Sequence, residues 1–106
     1  MNLINQHIKE LNAACSSYNV DKLYVFGSIL SEKFNEASDM DFVVSILSED
    51  PIEYAENYFE LKFQLEKIFN RKIDLLEQKA IRNSVFENLL NQQKTLVYAR
   101  GNQRMA

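Results

Sequence analysis

Three aspartates have the types and spacing that metal chemistry requires. Asp39 and Asp41 are separated by one residue, and Asp74 interrupts an otherwise apolar run. Two carboxylates about 4 Å apart repel each other by roughly 4 kcal/mol at an effective dielectric constant near 20, and a third acid adds to that cost. A divalent cation relieves the repulsion, and ligands that are all oxygen atoms favour Mg²⁺ or Mn²⁺. The three aspartates therefore predict a metal site.

A glycine–serine pair upstream predicts a phosphate site. Gly27 permits a close backbone approach to a ligand, and the start of a following helix offers N–H groups to an anion, to which the Ser28 hydroxyl adds a donor. A phosphate site beside a metal site is the combination that nucleotidyl transfer requires. With two metal ions, Asp39 and Asp41 are expected to bridge both. Asp74 is expected to hold the ion nearer the attacking group and to help deprotonate that group.

Hydrophobic patterning indicates the elements that must position these residues. It predicts helices over 2–18, 28–34, 51–70 and from 84 onwards, and strands over 22–26, 40–47, 72–76 and 95–99. The start of the long helix is marked by Asp50 as its cap, Pro51 as its first residue and Glu53 at capping-box spacing. The alternating order predicts an α/β fold, with residues 1–100 as one domain and 101–106 as a disordered tail.

The proposed chemistry constrains the sheet. Side chains alternate along a strand, so Asp39 and Asp41 share one face while Met40 and Phe42 point to the other. Gly27 follows the first strand and Asp39 precedes the second, so the two meet only if these strands are antiparallel. A strand–helix–strand unit is usually parallel. We therefore predict a mixed sheet of three to four strands with helices packed on it, in which the first two strands are antiparallel.

The spacing of these residues resembles that of a known superfamily. Phe26-Gly27-Ser28, ten intervening residues, Asp39-x-Asp41 and a later Asp74 look like the nucleotidyltransferases that include DNA polymerase β, and the chain resembles their minimal, antitoxin-type (MNT) branch. The resemblance implies a polymerase β-like fold, nucleotide phosphates on Gly27 and Ser28, and magnesium on the three aspartates. It also implies transfer of AMP from ATP to a partner protein, often a tyrosine of a HEPN-type toxin.

One departure from that resemblance keeps an alternative open. Many relatives carry arginines after the Gly-Ser pair, whereas the segment 29–33 here contains only Lys33 as a basic residue. The alternative is an antitoxin with weak or vestigial catalysis, which neutralises its partner by contact alone. Transfer to a small molecule or to RNA is a third option, but so short a chain has little room for a substrate domain of its own.

The predicted helix over 51–70 has a core stripe that includes Tyr58, and the helix is more apolar than that one stripe requires. Phe59 and Phe63 form a second row, which indicates either a helix buried on two sides or a surface for a partner or a second copy of the chain. Lys62 is expected to be a solvated surface charge. One of the basic residues around the third strand is a candidate phosphate contact: Arg71, Lys72, Lys79 or Arg82.

Composition excludes several other functions. The chain has 106 residues, of which 46% are hydrophobic and 25% are charged, and its formal net charge is -3, which gives no electrostatic reason to expect duplex nucleic acid. Its one cysteine, Cys15, rules out an internal disulfide framework. Its one histidine, His7, argues against a Cys/His zinc site or a histidine-based triad. No apolar run suits a membrane span or a signal peptide, so we expect a soluble, cytoplasmic protein.

Overall fold

The computed structural model describes residues 2–26, 38–81 and 84–101. Gly27, Ser28, the helix predicted over 28–34 and the tail from residue 102 lie outside these ranges. The described helices are α1 (Asn2–Gln6), α2 (Ile8–Ser17), α3 (Pro51–Phe69) and α4 (Ser84–Gln93). The described strands are β1 (Val20–Phe26), β2 (Met40–Ile46), β3 (Ile73–Glu77) and β4 (Thr95–Ala99), and a short 3₁₀ turn spans Gln78–Ala80.

The four strands form one mixed sheet in the order β3-β2-β1-β4. β1 is antiparallel to both β2 and β4, whereas β2 and β3 are parallel. The α/β fold with a mixed sheet and an antiparallel first pair is therefore confirmed. Because of these directions, the end of β1 and the starts of β2 and β3 lie at the same edge of the sheet.

The hydrophobic core lies between one face of the sheet and helices α2 and α3. Strand alternation sends every second side chain to this face, and burial of each large apolar side chain contributes about 1.5–3 kcal/mol. The fully buried members include Leu11, Cys15, Leu23, Val25, Met40, Phe42, Val44, Leu61, Leu65 and Ile73. Burial raises the pKa of the Cys15 thiol far above its ordinary value. This cysteine therefore acts as a small core hydrophobe.

The helix predicted over 2–18 is interrupted at His7, so the prediction of one continuous helix is wrong. His7 has φ -119° and ψ 23°, outside helical geometry, and its carbonyl accepts the first hydrogen bond of α2 from Leu11 N at 2.9 Å. Its ring packs edge-on against Phe69 with ring centroids 5.5 Å apart, and its Nδ1 lies 2.9 Å from a Glu10 carboxylate oxygen. Ile4 before the break and Leu11 after it are both buried in the core.

The boundaries of α3 follow the predicted signals. The Asp50 carboxylate accepts a hydrogen bond from Ile52 N at 3.2 Å, and Pro51 occupies the first turn. Asn70 ends the helix with φ 52° and ψ 49°, a left-handed conformation that Asn tolerates better than most residues. Within the described ranges, none of the helices is both long enough and apolar enough to cross a membrane.

Candidate active site

The register of the sheet places Asp41 in the middle of a cross-strand row. Asp41 is paired with Phe26 at the end of antiparallel β1 and with Asp74 on parallel β3. Their neighbours in sequence, Phe42 and Leu75, are buried in the core. Because side chains alternate, Asp41 and Asp74 project from the opposite face of the sheet. The alternation of types along both strands was the sequence signal for this arrangement.

Asp41 and Asp74 are close enough to share a proton. The pKa of Asp41 is raised from 3.8 to about 6, first by desolvation and then by the hydrogen bond that protonated Asp41 donates to Asp74. The negative charges of Asp74 and, more weakly, of Asp39 raise it further. At neutral pH, therefore, two carboxylates repel each other at the edge where β1 ends.

Asp39 is held just before β2 by contacts on both sides of it. Arg71 Nη1 donates a hydrogen bond to Ser38 O at 3.0 Å, and Met40 N donates to Lys72 O at 3.1 Å. These contacts attach the entry of β2 to the entry of β3. Across the described ranges, no three His, Cys, Asp or Glu side chains are grouped tightly enough to hold a metal ion as they stand. The structure thus brings the second and third aspartates into contact and places Asp39 beside that pair.

The chemistry of the pair fits a divalent cation. A cation between Asp41 and Asp74 would offset the repulsion that raises the pKa of Asp41. Magnesium typically takes only one or two carboxylates from the protein and fills its other positions with water and substrate phosphates. Two contacting aspartates with a third nearby therefore meet the requirement for a magnesium site loaded with nucleotide.

The pair opens into a cleft of about 460 Å³. The described residues that line it are Phe26, Asp41, Tyr58, Lys62, Asp74, Leu75, Leu76 and Phe86. A second hollow of about 370 Å³ lies between α2 and α3, and none of the three aspartates is among the described residues that line it.

Helix α3 forms one wall of this cleft. Tyr58 donates a hydrogen bond from its hydroxyl to Leu75 O at 2.6 Å, and Phe59 packs edge-on against the Tyr58 ring with centroids 5.0 Å apart. The pKa of Tyr58 is raised by desolvation and by the negative charges of Glu77 and Asp74. Tyr58 therefore stays neutral and fixes α3 to the edge strand next to Asp74.

Two residues of this wall were missed by the sequence analysis. It assigned Tyr58 to the core stripe of the helix and Lys62 to the solvated surface. Their spacing of four residues places both on one side of the helix, at the margin of its apolar stripe. A polar group at that margin was the available signal, but only the path of β3 beside the helix shows that the margin faces a cleft.

The second apolar row of α3 is exposed to solvent. Phe59 is 65% exposed and Phe63 is 55% exposed. The interpretation of a helix buried on two sides is therefore wrong for the described chain, and the row remains a candidate surface for another molecule. Because Phe59 packs against Tyr58, this surface borders the cleft.

The amino-acid sequence is similar to that of a family of known proteins. The sequence matches the family described as "Polymerase beta, Nucleotidyltransferase" over residues 9–103. The chain belongs to this nucleotidyltransferase family. It is 35% identical over 79 residues to "Putative protein adenylyltransferase MJ1215" of Methanocaldococcus jannaschii, a match that covers 74% of this chain and 85% of that protein.

Two solved structures show the same fold as this nucleotidyltransferase. A toxin–antitoxin structure with AMP-PNP matches with a TM-score of 0.66 and 18% identity, covering 89% of this chain and 74% of the other. A structure of a tri-AMPylated Shewanella oneidensis HEPN toxin in complex with its MNT antitoxin matches with a TM-score of 0.60 and 16% identity, covering 89% and 71%. The fold of this nucleotidyltransferase is therefore that of the minimal branch, as the resemblance implied.

Proposed function

We propose that this nucleotidyltransferase is a magnesium-dependent adenylyltransferase, which transfers AMP from ATP to a hydroxyl of a HEPN-type toxin and thereby acts as its antitoxin. The single observation that carries the proposal is the Asp41–Asp74 contact in a cleft at the edge where β1 ends. Two carboxylates that repel each other in a cleft are suited to a metal–nucleotide complex, and the family performs nucleotidyl transfer.

The roles of the site residues follow from the chemistry of the transfer. The acceptor hydroxyl oxygen forms a bond to the α-phosphorus of ATP, and the bond from that phosphorus to pyrophosphate breaks, so that pyrophosphate leaves with the electron pair. Asp74 is our candidate to accept the hydroxyl proton. Asp39, Asp41 and Asp74 would hold magnesium, which supplies neutralisation of the triphosphate charge when bound. Gly27 and Ser28 are proposed to bind the phosphates.

The choice of AMP and of a protein acceptor comes from the relatives. MJ1215 is named for adenylyl transfer to protein, and one structural neighbour is an MNT antitoxin beside an AMPylated HEPN toxin. In this chain, the cleft is lined on one side by α3, whose exposed Phe59 borders it. An acceptor protein that contacts this helix is thus able to present a hydroxyl to the cleft.

The test is transfer of label from ATP in the presence of Mg²⁺ to the protein encoded beside this one. We expect Mg²⁺-dependent labelling of that protein by the wild type and none by the double variant Asp39→Asn with Asp41→Asn. Asp21→Asn, which changes a carboxylate at the other end of β1, serves as the matched control and should label normally. Failure of the wild type to bind ATP with Mg²⁺, together with no labelling, would contradict the proposal.

A contact antitoxin is the second candidate, and the exposure of Phe59 and Phe63 favours it. Under this hypothesis, the double aspartate variant still neutralises the partner, whereas Phe59→Asp or Phe63→Asp does not. Glu60→Gln alters the charge of an exposed position on the same helix and serves as the control. If the aspartate variant instead loses neutralisation while retaining binding, catalysis is required.

A second copy of the chain is another possible occupant of this helix surface. It would appear as a dimer in light scattering, and the same Phe variants would dissociate that dimer.

A further inference from the structure

Lys62 places a cation in the cleft that contains the aspartate pair. It is half-buried and lines the same cleft as Asp41 and Asp74. It also lies one helical turn after Tyr58, whose hydroxyl bonds to Leu75 O at 2.6 Å. Because that bond fixes this part of α3 to β3, the base of the Lys62 side chain has a defined position in the wall of the cleft.

Within the described residues, no ion pair neutralises the positive charge of the Lys62 ammonium group. Lys62 forms no ion pair with a carboxylate in the ranges 2–26, 38–81 and 84–101. Two other lysines differ, since Lys67 Nζ lies 5.4 Å from the Phe63 ring centroid and Lys79 Nζ lies 3.7 Å from that of Tyr54. Lys62 is therefore placed to meet an anion that enters the cleft.

The anion that fits this cleft is a nucleoside triphosphate. ATP carries more negative charge than one divalent cation neutralises, so further cations around the phosphates strengthen its binding. An ammonium on a flexible stem is a compact point charge that suits phosphate. The segment 29–33 after the Gly-Ser pair supplies only Lys33. We propose that Lys62 contacts the β- or γ-phosphate of bound ATP, an inference that rests on the proposed function in taking ATP as the nucleotide.

The test measures binding by calorimetry with MgCl₂ present, using ATP and adenosine as probes. We expect Lys62→Met to weaken ATP binding by about 10- to 100-fold, because a charged hydrogen bond is lost, and to leave adenosine binding unchanged. Lys62→Arg keeps the charge and should retain most of the ATP affinity. Lys67→Met removes a lysine from the same helix outside the cleft lining and should bind ATP like the wild type.

The outcomes separate this inference from the proposed function. Wild-type affinity for ATP in Lys62→Met, or an equal loss for adenosine, overturns the role of Lys62 even if the wild type transfers AMP. ATP binding that depends on Lys62 without any AMP transfer supports Lys62 and counts against the transferase. If Lys62→Met does not fold by circular dichroism, Lys62→Gln removes the charge and decides between the same outcomes.

Discussion

Asp41 and Asp74 are directly paired across the parallel strands β2 and β3, and desolvation, together with the hydrogen bond and the negative charge of Asp74, raises the pKa of Asp41 to about 6. Adjacent acids on a sheet normally destabilise it. Here both project into a cleft beside the end of β1, where a metal–nucleotide complex would neutralise them. The pair therefore makes the stability of the cation-free protein depend on pH. Binding of the proposed metal–nucleotide complex would change that dependence.

The first prediction concerns Asp41→Asn without metal. Below pH 3.8 this carboxyl is protonated in both the folded and the unfolded chain, so it has no effect on the pH dependence there. As the pH rises from 3.8 to about 6, the folded chain holds the proton that the unfolded chain releases, and the wild type loses stability. Asp41→Asn avoids this loss, so its unfolding free energy should exceed that of the wild type by roughly 1 kcal/mol at pH 7. The gain is no larger because solvent screens a partly buried group.

Urea denaturation in EDTA between pH 4 and pH 8 checks this prediction. The difference in unfolding free energy between variant and wild type should grow up to about pH 6 and then stay level. Asp21→Asn, which changes a carboxylate at the other end of β1, is the control. A difference that is constant across the whole range would mean that Asp41 titrates normally.

The second prediction concerns metal. Adding Mg²⁺ with ATP should raise the melting temperature of the wild type, since a ligand at 10 to 100 times its Kd stabilises the folded state by roughly 1.4–2.7 kcal/mol. Asp74→Asn should lose most of this shift because one carboxylate of the pair is gone. EDTA should reverse the shift in the wild type. Equal shifts in both proteins would place the cation elsewhere.

The third prediction isolates the hydroxyl of Tyr58. Tyr58→Phe keeps the ring but removes the donor to Leu75 O, leaving a backbone acceptor beside the cleft. We expect a loss of about 1 kcal/mol in unfolding free energy. Tyr24→Phe, on strand β1, is the comparison for loss of a tyrosine hydroxyl and should lose less stability than Tyr58→Phe. If Tyr58→Phe is as stable as the wild type, the bond does not fix α3.

The fourth prediction tests the start of α3. Asp50→Ala removes the carboxylate that accepts from Ile52 N, and loss of such a cap costs about 1 kcal/mol. Chemical denaturation measures the cost. Asp50→Asn should keep most of the stability because its side-chain oxygen still accepts, which separates capping from charge.

Much of this fold was predictable because local signals and burial agree. Strand β4 was predicted over 95–99 and is Thr95–Ala99, and α3 begins at Pro51 after its cap. The antiparallel first pair was predicted from function, since Gly27 and Asp39 are useful only if the end of one strand meets the start of the next. The break at His7 was missed because residues on both sides of it keep helical spacing.

The amino-acid sequence by itself determined the kinds of element, the face of β2 on which Asp41 lies, and the family, because alternation and motif spacing are local properties of the chain. Only the tertiary structure decided that Asp41 contacts Asp74, since strand register depends on packing between residues 33 positions apart. It alone also brought Tyr58 and Lys62 to the cleft. The physical reason is that the sequence places these residues at the margin of an amphipathic helix, whereas only packing against a neighbouring strand determines whether that margin faces a cleft.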